Sequence, residues 1–304
     1  MNILVTGITG YIGSRLTPRL LRDGHRVRGF TRDPGYVGFG IPVATGDAVT
    51  GAGLDDALRG IEVAYFLIHS MEQSSNGAFA VRERAAAENF GEAARRSGVR
   101  RIVYLGGLVP ANGPSSLHLA SRLEVEHTLL GAVPDSVAFR ASIVIGARSR
   151  SFRFLVHLVE RLPVLAVPAW RTHVTQPIDE RDVIELLARA ATSDRAGGES
   201  LDIGGPDVVS YGELIDRIRH HMLVSRPTIS FKRLTMTPIA SRISAVIAGE
   251  DYALVGPLME SLGEDLLPRD DRAVRLLGVR SHSLDAAIEH ALRDWEAAER
   301  LTAR

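Results

Sequence analysis

Eight residues constrain this chain more than any others: Thr6-Gly7-Ile8-Thr9-Gly10-Tyr11-Ile12-Gly13, which follow the β-branched run "NILV" and open an amphipathic segment. Glycines in a strand-to-helix turn have separate uses. One makes the tight reversal, one lets the backbone approach a pyrophosphate, and one lets the helix pack closely on the strand, with phosphates at the positive helix N-terminus. Three glycines in a turn are commonly just a turn. Placed between the first strand and the first helix, they predict a dinucleotide cradle at the head of a parallel α/β sheet.

The rest of the first half agrees. The strands expected are "NILVTG", "HRVRGFTR", "IPVATGD", "EVAYFLIH", "RRIVYLGG" and "DSVAFRASIVIG". Between them lie helical stretches such as "YIGSRLTPRLLRDG" and "GAFAVRERAAAENFGEAARRSG", closed by Gly24 and Gly98 at the C-terminal position where a left-handed residue is favoured. Strands alternating with helices predict βαβ units around a doubly wound parallel sheet. Past residue 146 the pattern loosens into Pro-containing segments, then gives a helix "DERDVIELLARAAT" and a strand-turn "ESLDIGGPDVVS", whose helix and strand are expected to return to the sheet. From Tyr211 onward the chain reads as helices joined by Pro/Gly turns. The expected division is therefore a dinucleotide-binding domain over 1–145, rejoined by 179–204, and a smaller, mostly helical substrate region over 146–178 and 205–304.

Composition narrows the function classes. At 304 residues, 45% hydrophobic and 24% charged, the chain can bury a sizeable core, and Lys+Arg 36 against Asp+Glu 36 gives no bulk attraction to nucleic acid or anionic membrane. There is no cysteine, which removes disulfides, thiolate metal sites and thiol nucleophiles. "MNILVTGITG" has neither a basic n-region nor a long apolar stretch, and no run approaches the roughly 20 apolar residues of a spanning helix, so a cytoplasmic protein with a small-molecule substrate is expected. No metal is expected. His220-His221 point about 100° apart on a helix and would not share one.

Ligands of open α/β sheets lie at the C-terminal strand ends. The cofactor candidates are accordingly Gly7, Thr9, Gly10, Tyr11, Ile12 and Gly13, then Thr31 and Arg32, Asp47 and Ala48, Leu67, Ile68 and His69, and Leu105 and Gly106. After the second strand an acidic residue would hold ribose hydroxyls and repel a 2′-phosphate. Phe30-Thr31-Arg32 instead offers a hydroxyl and a guanidinium, which favours NADP(H) over NAD(H). Arg32 could also be a surface arginine, with Asp33 the missing acid. Asp47 is placed for the adenine amine or for a turn.

With TGxxGxxG at the start, "GD" after strand three, "AYFLIHSM" at strand four and "VRRIVYLGGL" at strand five, the chain resembles the short-chain dehydrogenase/reductase superfamily, and within it the atypical YbjT-like subgroup. The resemblance implies a Rossmann fold and NAD(P) binding. The superfamily's serine after strand five and its Tyr-x-x-x-Lys are missing: Gly106-Gly107 occupies the first place, and the single lysine, Lys232, has Thr228 four residues before it. At the second place stands His118-Leu-Ala-Ser-Arg122. There His118 and Arg122 become the catalytic candidates. An imidazole with an ordinary pKa near 6.5 can donate a proton near neutrality, whereas arginine stays charged and can only bind or stabilise. Both could instead be packing or anchoring residues. Ser115, Ser116 or Ser121 could replace the absent serine.

On the substrate side the candidates are Ser70, Gly107, Ser142, Trp170 and His173, with Gln176 nearby and Phe152, Phe154, Trp170 and Phe231 as aromatic contacts. Asn89 reads as a buried hydrogen-bonding residue, and Arg140 faces either cofactor or interior. These features leave three classes: an NADPH-dependent reductase of a small apolar carbonyl, enone or quinone-like compound with His118 as proton donor; a non-catalytic NADP(H)-binding sensor or accessory protein; and an epimerase or dehydratase using its cofactor transiently. Oligomeric state is not legible.

Overall fold

The computed structural model describes residues 1–33, 35–36, 38–68, 78–110, 113–114, 116–161, 165–167, 169–224, 228–230 and 264–298. In chain order the first half contains β1 (Asn2–Thr6), α1 (Tyr11–Arg22), β2 (Arg26–Thr31), β3 (Val43–Thr45), α2 (Leu54–Leu58), β4 (Val63–Phe66), α3 (Ala78–Arg96), β5 (Arg101–Gly107), α4 (Leu117–Ala132) and β6 (Val137–Ala141). There follow β7 (Val144–Ile145), α5 (Arg150–Arg161), β8 (Leu165–Val167), β9 (Val174–Thr175), β10 (Ile178–Asp179), α6 (Glu180–Ala190), β11 (Glu199–Ile203), β12 (Val209–Ser210), α7 (Tyr211–His221), β13 (Thr228–Ser230), α8 (Arg272–Leu277) and α9 (Leu284–Ala298).

Seven strands form one parallel sheet in the order β11-β6-β5-β4-β1-β2-β3, a Rossmann-type α/β arrangement whose order reverses beside β1. Its strands are apolar on both sides because both sides are covered. Ile3, Val5, Val63, Tyr65, Val103 and Phe139 pack toward α1, α6 and α8, while Leu4, Ala64, Phe66, Ile102, Tyr104 and Ala138 pack toward α2, α3 and α4. A third cluster unites α5, α7 and α9 around Phe152, Tyr211, Ile288 and Trp295, and so forms the core of the C-terminal region.

Long side chains stitch the early strands to the later chain. The Tyr65 hydroxyl donates to Leu187 O at 2.7 Å. Arg101, wholly buried, donates to the carbonyls of Ala190 and Ser193 at 2.6 Å and pairs with Asp135. β11 joins the sheet as the parallel neighbour of β6.

Several boundaries differ from those expected. Residues 135–146 read as one strand but form two. β6 stops at Ala141, the Ser142 amide donates to Ile203 O at 3.0 Å, and β7 leaves the sheet to pair with β10. The third strand shrinks to Val43–Thr45. Gly24 and Gly98 do take left-handed conformations, φ +80° and +70°, just beyond α1 and α3. No described helix is long and apolar enough to cross a membrane.

Candidate functional site

The C-terminal ends of β1, β2, β4, β5 and β6 open into a cleft of about 660 Å³, within the usual size range for small-molecule sites. The glycine turn forms one end. Gly7 has φ +63°, and a Cβ there would lie 2.5 Å from Leu67 O; a Cβ on Gly13 would lie 2.3 Å from Gly7 O. The Gly10 amide donates to Gly7 O at 2.8 Å, and α1 starts at Tyr11 with no acidic residue in its first turn. Side chains would fill the space that this turn leaves beside the helix's first amides, which lack intrahelical acceptors. A pyrophosphate suits that cradle in both shape and charge.

Thr31 and Arg32 line the same cleft after β2, and Arg82 of α3 joins them. Asp33 is otherwise engaged: its carboxylate accepts from the Gly35 amide at 2.8 Å, its own amide donates to Thr31 Oγ1, and it is not among the lining residues. Asp47 lines the cleft and also closes a turn, accepting from the Val49 amide at 2.9 Å. Asn89 holds that turn from behind, donating to the carbonyls of Ala48 and Val49. Ala48, Leu67, Ile68, Leu105, Gly106 and Gly107 complete the wall.

On α4, with Ser116 as N-cap, His118 and Arg122 share one face and both reach the cleft. Arg122 Nε donates to His118 Nε2 at 2.9 Å. An imidazole that accepts at Nε2 carries its proton on Nδ1. That Nδ1 is buried, with no partner among the described residues. Burial first and the Arg122 charge second push the imidazole down to about 3. Desolvation disfavours the ring's cation, and a permanent guanidinium cation sits against it, which moves the imidazole below the near-neutral range expected from the sequence. The replacement serines do not serve either. Ser116 accepts from the Leu119 amide, Ser121 donates to buried Glu83, and neither lines the cleft. Ser115 lies outside the described residues.

Tyr11 links the glycine turn to the later chain, its hydroxyl donating to Glu180 Oε2 at 2.5 Å. Burial and that carboxylate push the phenol well above its ordinary range. Glu180, His290 and Asp294 bring ligand atoms within 4.8 Å of one another, but Arg15 already counters their charge, 2.7 Å from Asp294 and 3.5 Å from Glu180.

Of the substrate candidates, Gly107 and Ser142 line the cleft. His173 does not: it bonds Asp265 at 3.1 Å, while Gln176 donates to Gly205 O. Phe154 lines the cleft, whereas Phe152 is buried in the C-terminal core. His69, Ser70, Lys232, Phe231 and the Trp170 side chain fall outside the described residues. Arg140 faces the interior, gripping Glu126 with two bonds of 2.8 and 2.5 Å beside Asp202. Sequence reasoning missed Arg82, Thr175 and Tyr211, all of which line the cleft. An arginine in a helix rich in charges gives no spacing signal, and Thr175 and Tyr211 meet only because β12 pairs antiparallel with β9.

Residues 7–129 match a family model described as NAD(P)H-binding. Ceramide reductase of Caulobacter vibrioides is 29% identical over 194 residues, 62% of this chain and 61% of that protein. The 3-beta-hydroxysteroid dehydrogenase of Mycolicibacterium neoaurum is 29% identical over 41% of this chain and 39% of its own length, so these matches span about three-fifths of the relatives or less. Among solved structures, gox2253 superposes with a TM-score of 0.76 at 19% identity, over 99% of both chains. MoeE5 in complex with UDP-glucose and NAD gives 0.72 at 20% identity, over 98% of this chain and 99% of that one.

Proposed function

We propose, from the match of residues 7–129 to an NAD(P)H-binding family model, that the chain is an NADP(H)-dependent oxidoreductase which reduces the carbonyl of a small, largely apolar molecule. The observation that carries this reading is the His118–Arg122 pair in the cleft wall, with a buried Nδ1 that has no partner among the described residues. The bound reduced nicotinamide would supply the hydride. The glycine turn and the first amides of α1 hold the pyrophosphate, and Thr31, Arg32 and Arg82 gather round the 2′-phosphate. His118 acts as a neutral donor, aiming Nδ1–H at the substrate oxygen where negative charge develops, while Arg122 polarises the ring from Nε2. Apolar lining residues suit an apolar substrate. The names of the two curated relatives, a ceramide reductase and a steroid dehydrogenase, point the same way.

The test is consumption of reduced coenzyme with a panel of ketones, enones and quinones. His118→Ala is expected to lower kcat by about 10²- to 10³-fold, the usual cost of one oxyanion donor, with NADPH affinity nearly unchanged. The ring is already neutral above about pH 3, so kcat/KM should show no inflection near the ordinary histidine pKa of about 6.5. An inflection there that disappears in His118→Ala would restore an ionising acid. Tight NADPH binding without turnover of any compound would make the chain a coenzyme-binding protein instead.

Coenzyme choice has its own measurement. Arg32→Ala with Arg82→Ala removes charge-assisted contacts worth about 1.5–3 kcal/mol each. NADPH affinity, followed by fluorescence titration, should fall at least about tenfold and NADH affinity by less than about twofold. Equal losses for both coenzymes would remove the arginines from 2′-phosphate recognition.

A further inference from the structure

At the cleft wall formed by the second half of the chain, three hydroxyls stand in a row. Ser142, just past β6, lies 3.1 Å oxygen to oxygen from Thr175 of β9, and Thr175 lies near the hydroxyl of Tyr211, the first residue of α7. All three line the cleft, yet they are 8%, 0% and 1% exposed. The surroundings are apolar: Ile143 precedes β7, Phe154 and Leu155 come from α5, and Leu266 bridges to Thr175. Buried hydroxyls in such a setting are costly unless hydrogen-bonded. Each hydroxyl has one donor and two acceptor sites. Thr175 stands between the other two, and among the described residues the Ser142 hydroxyl bonds Thr175, which leaves its remaining sites for whatever occupies the cleft.

We propose that Ser142, backed by Thr175 and Tyr211, is the subsite that recognises an uncharged oxygen on an otherwise apolar substrate, and that this polar anchor sets which apolar molecules the cleft accepts. The assignment deepens the oxidoreductase reading and rests on it for the identity of the ligand as a substrate. A row of hydroxyls can reverse its direction. With the Ser142 O–H turned toward Thr175, Ser142 accepts from an alcohol; with the Thr175 O–H turned toward Ser142, Ser142 donates to a ketone. The same three residues therefore suit both the oxidised and the reduced form of a carbonyl/alcohol pair. No charged side chain belongs to the row itself, although Arg148 and Arg150 also line the cleft. Sites built to bond an oxygen discriminate strongly against analogues that lack it, because the protein's own groups are then left unpaired.

The experiment titrates benzylacetone, its alcohol and butylbenzene into the full chain loaded with NADP⁺, by calorimetry. Ketone and alcohol are each expected to bind at least about tenfold more tightly than butylbenzene. In Ser142→Ala that preference should shrink to under about threefold for both, with NADP⁺ affinity and melting temperature held. Thr175→Val is the second variant and should shrink it likewise through loss of the row's middle member. Equal binding of the three compounds to the wild type, or a preference that survives both variants, overturns the subsite. Consumption of NADPH with benzylacetone is a separate readout: its absence, with the oxygen preference intact, would sink the reductase reading and leave the subsite standing.

Discussion

Alanine at position 13 is expected to weaken NADPH binding by about ten- to a hundredfold. The added methyl would lie 2.3 Å from Gly7 O and 3.0 Å from Ile8 Cα, both backbone atoms that cannot swing aside. Relief requires α1 to move away from β1, and overpacking of this kind costs about 1–3 kcal/mol, a factor of about ten in affinity for every 1.4 kcal/mol. The helix amides that meet the pyrophosphate shift with it. A coenzyme fluorescence titration beside circular dichroism would separate lost binding from lost fold. Gly131→Ala serves as the control, since a Cβ there meets nothing within 4 Å and alanine is the better helix former. Affinity within about twofold of the wild type in Gly13→Ala would mean that this turn does not set the position of the phosphates.

Arg140→Ala should have the largest effect on stability, about 3–5 kcal/mol, the usual consequence of removing one partner from a buried ion pair. Glu126 is 2% exposed and would lose both of its guanidinium bonds, keeping among the described residues the hydroxyl of Ser200. Asp202 stays paired with Arg269, so the unmet charge is concentrated on Glu126. Denaturant unfolding would read the change as a lower midpoint. A loss below about 1 kcal/mol would show that water reaches Glu126 once the arginine is gone.

The two substitutions also mark what the sequence made legible. Gly13 could be assigned a role because its job follows from local order alone, strand then turn then helix. Arg140 could not: its strand gives it a face, but whether that face holds coenzyme or a carboxylate depends on Glu126 in α4 and Asp202 in β11, which only the topology brings together. The same division runs through the cleft. His118 and Arg122 were found because the resemblance puts them where the superfamily has Tyr-x-x-x-Lys, while the imidazole's loss of basicity comes from burial, which no motif encodes. The serines beside them looked available until Ser116 became a helix cap and Ser121 a partner of Glu83. Thr175 and Tyr211 carry no motif, and their nearness to Ser142 is a product of two-residue strands too short to predict.

The hydrogen bond from Tyr11 to Glu180 ties the mouth of the coenzyme cradle to a helix that begins 169 residues later, and Tyr65 and Arg101 tie the central strands to the same helix and its exit. The segment that carries the recognisable glycine signature is therefore not a detachable cassette. Cut free or grafted elsewhere, it would lose the carboxylate that orients its own tyrosine, and its grip on the coenzyme would be inherited only in part. Any recombination of this chain with its relatives has to carry α6 along with the loop that it braces.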